Sequence, residues 1–297
     1  MLGAIGSSDS PDWLGASPLH SYLVVDVFTS RSLEGNQLGV FLDGRSFSAG
    51  DMQRLAREMN FSETVFLLDP ESGGDARMRI FTPSRELPFA GHPVLGTAFV
   101  VGTSLRADAV VLETGAGPVP VELERSDGRV VFGRMQQPIP TWEPFDRPAE
   151  LLSALGVEAS ELPIEVYRNG PTFVYVKLAD ERAVAAVRPD LVALHDLDVG
   201  ANCFAGQGLG WKTRMFYPAG GVPEDPATGS AAGPLAVHLA RHGQIPFGEE
   251  IEIRQGEEIA RPSLLYATVT GRPDRIESVQ VGGCAQIVAH GQFQVSR

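Results

Sequence analysis

The stretch Arg79-Ile80-Phe81-Thr82-Pro83, with Glu86-Leu87-Pro88-Phe89-Ala90-Gly91-His92 after it, occurs in the chain a second time. The second copy is Arg214-Met215-Phe216-Tyr217-Pro218, then Glu224-Asp225-Pro226-Ala227-Thr228-Gly229-Ser230. Both read Arg, a large apolar residue, Phe, any residue and Pro, then a short turn and Glu-x-Pro-x-x-Gly with His or Ser after it. The Arg residues are 135 positions apart (79 to 214) and the Glu residues 138 (86 to 224), so the second turn is three residues longer. A long period with two copies predicts two related units and not a solenoid.

Each copy runs into an apolar stretch, Val94 to Val101 and Ala231 to Ala240. Apolar residues lie on nearly every side of a helix drawn through either one, which predicts two helices buried all round. Pro93 and Pro234 are expected near the helix starts, where proline is tolerated best. Each glycine allows a tight turn from strand to helix. Two helix N-termini facing each other would present free N–H groups and two positive dipole ends to an anion such as a carboxylate. The plainer alternative is a duplicated packing motif without chemistry; His92 and Ser230, at matching places beside the glycines, argue against it.

Working outward, 297 residues are enough for one large or two medium domains. With 43% hydrophobic and 21% charged residues the composition is that of a globular chain. A formal net charge of −13 argues against nucleic acid or an anionic membrane as partner. The apolar runs are too short to span a bilayer. Cys203 and Cys284 fit neither a disulfide framework nor a zinc site and are expected to be buried thiols in a reducing, cytoplasmic compartment.

Met1 to Pro18 lacks a basic start and apolar core and reads as a flexible tail, 1–18. Two domains, 19–140 and 141–297, follow, with the last strands able to cross back to the first. Strands are expected in "YLVVDVF", "ETVFLLD" and "ARMRIFTP", and Gly35-Asn36 as a turn. Ser48 to Met59 has helical spacing, with Asp51 in its first turn. The segment "AVVLETGAGPVPVELERSDGRVVFGRMQQ" reads as an antiparallel meander. "AELLSALGV" is a short helix, "PIEVYRNGPTFVYVKL" a hairpin and Leu191 to Leu197 weakly helical; "EEIEIRQG" and "SLLYATVTG" are further strands.

Glu63 lies where a helix gives way to a strand, among Phe61, Val65, Phe66 and Leu67. Most carboxylates in such places are solvated, but one held in an apolar pocket has a raised pKa and can shuttle a proton near neutrality. His92, beside a helix N-terminus, should be neutral and able to donate. Asp225 offers an anion for an amino group, and Ser230 a hydroxyl beside backbone N–H groups; each could instead be a simple cap. No nucleophile elbow, P-loop, His-Glu-x-x-His, Cys-x-x-Cys or dinucleotide-binding glycine triplet is present, so neither a cofactor nor a metal is expected.

The runs "DVFTSRSLEGNQLGVF", "MNFSETVF", "RIFTPSRELPFAGHPVLGTA" and "EDPATGSAAGPLAVHLARHGQ" resemble the PhzF family of phenazine-biosynthesis isomerases. So do "QQPIPTW", "VYRNGP", "NCFAG" and "IARPSLLYA". The resemblance implies an α+β fold like that of diaminopimelate epimerase: two pseudo-symmetric units, each a mostly antiparallel barrel-like sheet around a central helix. The epimerases carry a Cys immediately before each glycine; Ala90 and Thr228 stand here, which implies that two-base, thiol-dependent racemisation is lost. It implies instead a cofactor-free isomerisation of trans-2,3-dihydro-3-hydroxyanthranilic acid by a homodimer. Glu63 would move a proton from C3 to C1, His92 would contact the oxygen-bearing part of the ring, and Asp225 the amino group. Ser230 and the N–H groups of Gly91 and Gly229 would hold the carboxylate, with Ser62 and Thr228 also lining the substrate. An isomerase or epimerase for another small amino or hydroxy acid, and a non-catalytic protein of the same fold, are the competing readings; intact Glu63 speaks against the second.

Overall fold

A computed structural model describes residues 18–295 of the chain. The expected tail, 1–18, lies outside the described residues except for Pro18.

The first half opens with strands β1 (Leu19–Val27) and β2 (Asn36–Phe41), helix α1 (Ala49–Met59), β3 (Glu63–Leu68), β4 (Ala76–Phe81) and the short β5 (Glu86–Leu87). Helix α2 (Gly91–Leu105) and the meander β6 (Ala109–Thr114), β7 (Gly117–Ser126) and β8 (Arg129–Gln136) complete it. Next come β9 (Thr141–Pro144), α3 (Pro148–Leu155), β10 (Glu165–Arg168), β11 (Thr172–Lys177), α4 (Glu181–Ala186) and α5 (Leu191–Leu197). Strands β12 (Gly200–Gln207), β13 (Gly210–Tyr217) and β14 (Val222–Asp225) lead to α6 (Gly229–Arg241). Four strands end the chain: β15 (Glu250–Gln255), β16 (Ser263–Arg272), β17 (Arg275–Gly283) and β18 (Ala285–Gln294).

The strand pairings repeat. In the first half β1 pairs β2, β2 pairs β3, β3 pairs β4, β4 pairs β5 and β6, and β6–β7–β8 form the meander. In the second, β10, β11, β12, β13, β14, β15 and β16 take the same places with the same directions, and β17 follows β16 as β8 follows β7. Among the described residues the pairings are antiparallel except β2–β3, β4–β6, β11–β12 and β13–β15, matching positions in the two halves. The halves are sewn together by β8 pairing with β17 and by β18, which crosses back to pair with β1; β9 pairs with β10.

Both glycine-turn helices are buried all round, as their apolar composition predicts. They run several residues beyond the apolar stretches, and they share one core cluster with strands of both halves. Leu95 is fully buried in that core, and truncating it to Ala would cost about 2–5 kcal/mol. Pro93 is the third residue of α2, but Pro234 is the sixth of α6 and lies inside it, not at its start. Proline has no N–H for the carbonyl four residues back, which is that of Ser230. The Asn169 side chain donates to that carbonyl at 2.9 Å and so replaces the missing bond.

Helix α1 begins at Ala49, one residue after the expected start, and has Asp51 in its first turn as expected; Ser48 and Asp51 form a capping box. Strand β12, "GANCFAGQ", had no signal in the sequence, because small and polar residues have little strand preference; here they are buried between β11 and β13. Of the two thiols Cys203 is buried, but Cys284 is only half buried.

Candidate active site

Helix α1 stops at Asn60, a left-handed residue with φ 53°, and after Phe61 and Ser62 the chain enters β3 with Glu63. Side chains alternate along a strand, so Glu63 shares a face with Val65 and Leu67, which belong to the core around α2. Phe66, which the sequence placed in the same setting, faces the other way into the cluster under α1. On the α2 side Glu63 meets His92: its Oε2 is 3.4 Å from the imidazole Nδ1. The distance would suit an ion pair, but both groups are pushed toward their neutral forms. Burial drives the His92 pKa down to about 3, and burial together with the charge of Asp225 pushes Glu63 well above the usual carboxylate range. The sequence reading placed the neutrality of His92 in the helix dipole; its main cause is desolvation.

Asp225 ends β14 on the other side. Burial raises its pKa to about 6, against the pull of three hydrogen-bond donors. Thr228 Oγ1 donates to Oδ2 at 2.6 Å, and Ser62 Oγ and Asn36 Nδ2 donate to Oδ1 at 2.9 and 2.8 Å. These bonds favour the charged form of Asp225, and Glu63, which has none of them, is pushed toward its protonated form.

The two helices that enter the site start without side-chain caps, at Ala90 and Thr228. Their first N–H groups therefore have no side-chain partner within the turn. The helix starts touch: a Cβ added to Gly91 would run into the backbone of Gly229 and Ser230, and one added to Gly229 would strike the Phe28 ring at 2.8 Å and sit 3.1 Å from the His92 backbone nitrogen. Glycine is required at both places by this approach. Ser230 is buried in the first turn of α6. The fold thus gathers Glu63, His92, Asp225, Ser230, Ser62, Gly91, Thr228 and Gly229 around one point. Two of them work within the turn: the Ser62 hydroxyl is given to Asp225, and the Thr228 hydroxyl donates to Asp225 and accepts from Gln255 Nε2 at 3.0 Å. Two buried polar atoms at the centre, Glu63 Oε2 and His92 Nε2, have no hydrogen-bond partner among the described residues. Orphans of this kind mark where a ligand makes its bonds.

Four buried amides that carried no assigned role in the sequence support the second turn. Gln137 Nε2 donates to Gly229 O at 2.8 Å, Asn169 Nδ2 to Ser230 O, Gln255 Nε2 to Asp225 O at 2.8 Å, and Asn36 Nδ2 to Ala227 O at 2.9 Å. They come from strand ends far apart in the chain, and a lone amide gives no periodic or motif signal; "DVFTSRSLEGNQLGVF", "QQPIPTW" and "VYRNGP" held three of them without marking a role.

The fold also assembles a group that the sequence reading did not foresee. Glu165, His238 and His242 offer donor atoms within 4.8 Å of one another. The Glu165 oxygen nearest both histidines already accepts Arg241 Nη1 at 2.7 Å and the Tyr167 hydroxyl at 2.8 Å, so the group is a hydrogen-bonded ion cluster at the far end of α6. A surface groove of about 610 Å³, lined among others by Glu71, Arg77, Glu86 and Glu113, contains none of the eight site residues.

Comparison with known proteins agrees with this architecture. The family described as phenazine biosynthesis-like protein, PhzC-PhzF, matches residues 25–291. The chain is 57% identical over 275 residues to a trans-2,3-dihydro-3-hydroxyanthranilate isomerase of Pseudomonas aeruginosa, covering 92% of this chain and 99% of the relative. The structure of a "predicted epimerase" from Pseudomonas aeruginosa superposes with a TM-score of 0.79 at 31% identity, over 93% of this chain and all of that one. A Bacillus anthracis PhzF-family structure gives 0.82 at 24% identity, over 94% and 100%, and so the same fold. The fold is α+β and epimerase-like, and the chain belongs to the PhzC-PhzF family of phenazine biosynthesis-like proteins.

Proposed function

We propose that this protein is a trans-2,3-dihydro-3-hydroxyanthranilate isomerase of phenazine biosynthesis, acting by carboxylate-mediated proton transfer without a cofactor. The observation that carries the reading is the buried Glu63 carboxyl, 3.4 Å from the buried His92 imidazole, with burial and Asp225 both pushing it toward its protonated form. The P. aeruginosa isomerase at 57% identity supports it.

Burial and mutual repulsion favour one negative charge on the pair Glu63 and Asp225, and the donors around Asp225 keep it there. A substrate amino group docking on Asp225 cancels that charge. The repulsion on Glu63 falls, the carboxyl gives up its proton to solvent as the amino group docks, and the desolvated carboxylate left behind is the base. Glu63 takes the C3 proton and returns it to C1 on the same ring face; the resulting 3-hydroxy enol becomes a ketone, and the product is the reactive 6-amino-5-oxocyclohex-2-ene-1-carboxylic acid. His92, neutral across the working range, gives a hydrogen bond to the oxygen-bearing part of the ring. The Ser230 hydroxyl and the N–H groups of Gly91 and Gly229 hold the substrate carboxylate at the two helix starts. Ala90 and Thr228 offer no thiol, so a second base is lacking where a two-base epimerase would carry it.

In this reading residues 19–140 and 141–297 are the two units whose glycine turns form the site. The enzyme works as a cytoplasmic homodimer, as the family resemblance implies. Among the described residues no helix is long and apolar enough to cross a membrane. The test is to mix the pure protein with the dihydro-hydroxyanthranilate and follow its ultraviolet absorbance and product mass. Conversion to the aminoketone is expected. An unchanged substrate spectrum would reject this substrate, and racemisation of another amino or hydroxy acid would favour the epimerase reading.

A further inference from the structure

We propose that Asn36 is a positioning residue for the reaction: its one amide group ties the base-side turn and the anchor-side turn together and sets the geometry of His92 against Asp225. The inference rests on the functional reading above.

Asn36 is 1% exposed and opens β2. Its Nδ2 lies 2.8 Å from Asp225 Oδ1, 2.9 Å from Ala227 O and 3.3 Å from His92 Nδ1. The two N–H protons go to the two shorter contacts, both in the second turn, and the same nitrogen packs on the imidazole that starts α2. One small side chain from the first half thus touches both glycine turns, 56 positions from His92 and 189 from Asp225 in the chain.

The Asn36 backbone is itself fixed. Gly35, at φ 72°, precedes it, where a Cβ would strike Val27 O and the Thr29 side chain. The Arg261 guanidinium donates to Gly35 O at 2.8 Å, to Glu34 O at 2.7 Å and to the buried Asp26 carboxylate at 2.7 Å. Asn36 therefore stands on a pinned loop. A donor held in place by a second layer of bonds is what a positioned catalytic carboxylate needs.

The charged and titratable groups around Asp225 are Glu63 on β3, His92 on α2 and its neighbour Glu224, which is held by Arg214 of β13. Asn36 is one of three neutral donors to Asp225, with Thr228 and Ser62, and its bond favours the ionised form of Asp225. Without it, the Asp225 carboxyl should take up a proton at higher pH.

The experiment compares wild type with Asn36→Ala and with Asn36→Leu, which keeps the volume and removes the donor. Steady-state kinetics on the dihydro-hydroxyanthranilate, the pH profile of kcat/KM, thermal unfolding and a carboxyl NMR titration of Asp225 in substrate-free protein are recorded. Expected in the folded variants are a fall in kcat of about 10- to 100-fold with a smaller change in KM, and an upward move of both the acidic limb and the Asp225 titration midpoint. If Asn36→Ala does not fold, Asn36→Leu decides. Folded variants with kcat within about twofold of wild type, or with an unmoved Asp225 midpoint, would overturn the inference. Wild type inert toward the substrate would instead overturn the proposed function, and the titration, which needs no substrate, would still judge Asn36.

Discussion

The two glycine turns carry the same staple and are held in different ways. In the first, Arg79 bonds Glu86 through Nε and Nη2, at 2.7 and 2.6 Å, and lies over the Phe81 ring at 5.1 Å. In the second, Arg214 bonds Glu224 through the same two atoms, at 2.8 Å each, and lies over Phe216 at 4.9 Å. The repeated Arg, Phe and Glu are thus one device built twice: a bidentate pair that closes a strand turn, with the guanidinium on an aromatic face. The first pair keeps 27% and 42% side-chain exposure, the second 6% and 14%. Arg214 also donates to carbonyls at the end of α4, at 2.8 Å to Val187 O and 3.2 Å to Ala185 O. All four supporting amides fall on the second turn. The duplication gave two related turns; packing holds the second, which carries Asp225, more firmly, and leaves the first to bring His92 to Glu63.

The largest effect expected from breaking this division is at the base. Glu63→Gln is nearly isosteric but cannot accept a proton. It should bind substrate and keep its fold while kcat falls by about 100- to 10,000-fold. Near-wild-type kcat in the purified variant would remove Glu63 from its role.

The staples sharpen the comparison next. Arg214→Ala leaves Glu224 buried without its partner and should cost about 3–5 kcal/mol in urea unfolding. Arg79→Ala, on the exposed copy, should cost below about 1 kcal/mol. Equal losses would mean that the two turns are held alike.

The pH dependence follows from Asp225. Its pKa is raised from 3.8 to about 6, so the folded state holds the proton more tightly than the unfolded chain does. Between those values the unfolded state binds fewer protons, and this group makes the fold less stable as pH rises from about 4 to about 6, with no further change above. Activity is expected to run the other way, because in the proposed function the charged form binds the amino group: kcat/KM should fall as pH drops below about 6. Asp225→Asn should remove that limb. His92, held to about 3, cannot be its source. A limb that persists in the Asn variant would assign it elsewhere.

The site was legible where chemistry and repetition coincide. Glu63, His92, Asp225 and Ser230 sit in or beside motifs whose residue types announce a function, and the repeat revealed the two helix starts. Asn36 was visible only as a turn residue, because its side chain acts across a gap of 189 positions that no local pattern encodes. Gln137, Asn169 and Gln255 were hidden for the same reason. Pro234 was read as a helix start because local preference cannot foresee that Asn169 supplies the bond a mid-helix proline forfeits. That the last strands could cross back to the first unit was expected; which partner β18 takes, and in what register, depends on pairing between distant segments, to which period-2 patterning is blind.

The central claim, that one carboxylate moves the proton along one face, is tested most directly by isotope. Substrate deuterated at C3 is turned over in ordinary water, and product trapped early is read by mass spectrometry and NMR. A single base in a site closed to water should deliver part of the label to C1 on the same ring face, the rest exchanging from protonated Glu63. Solvent hydrogen arriving at C1 from the opposite face would contradict the account and require a second base.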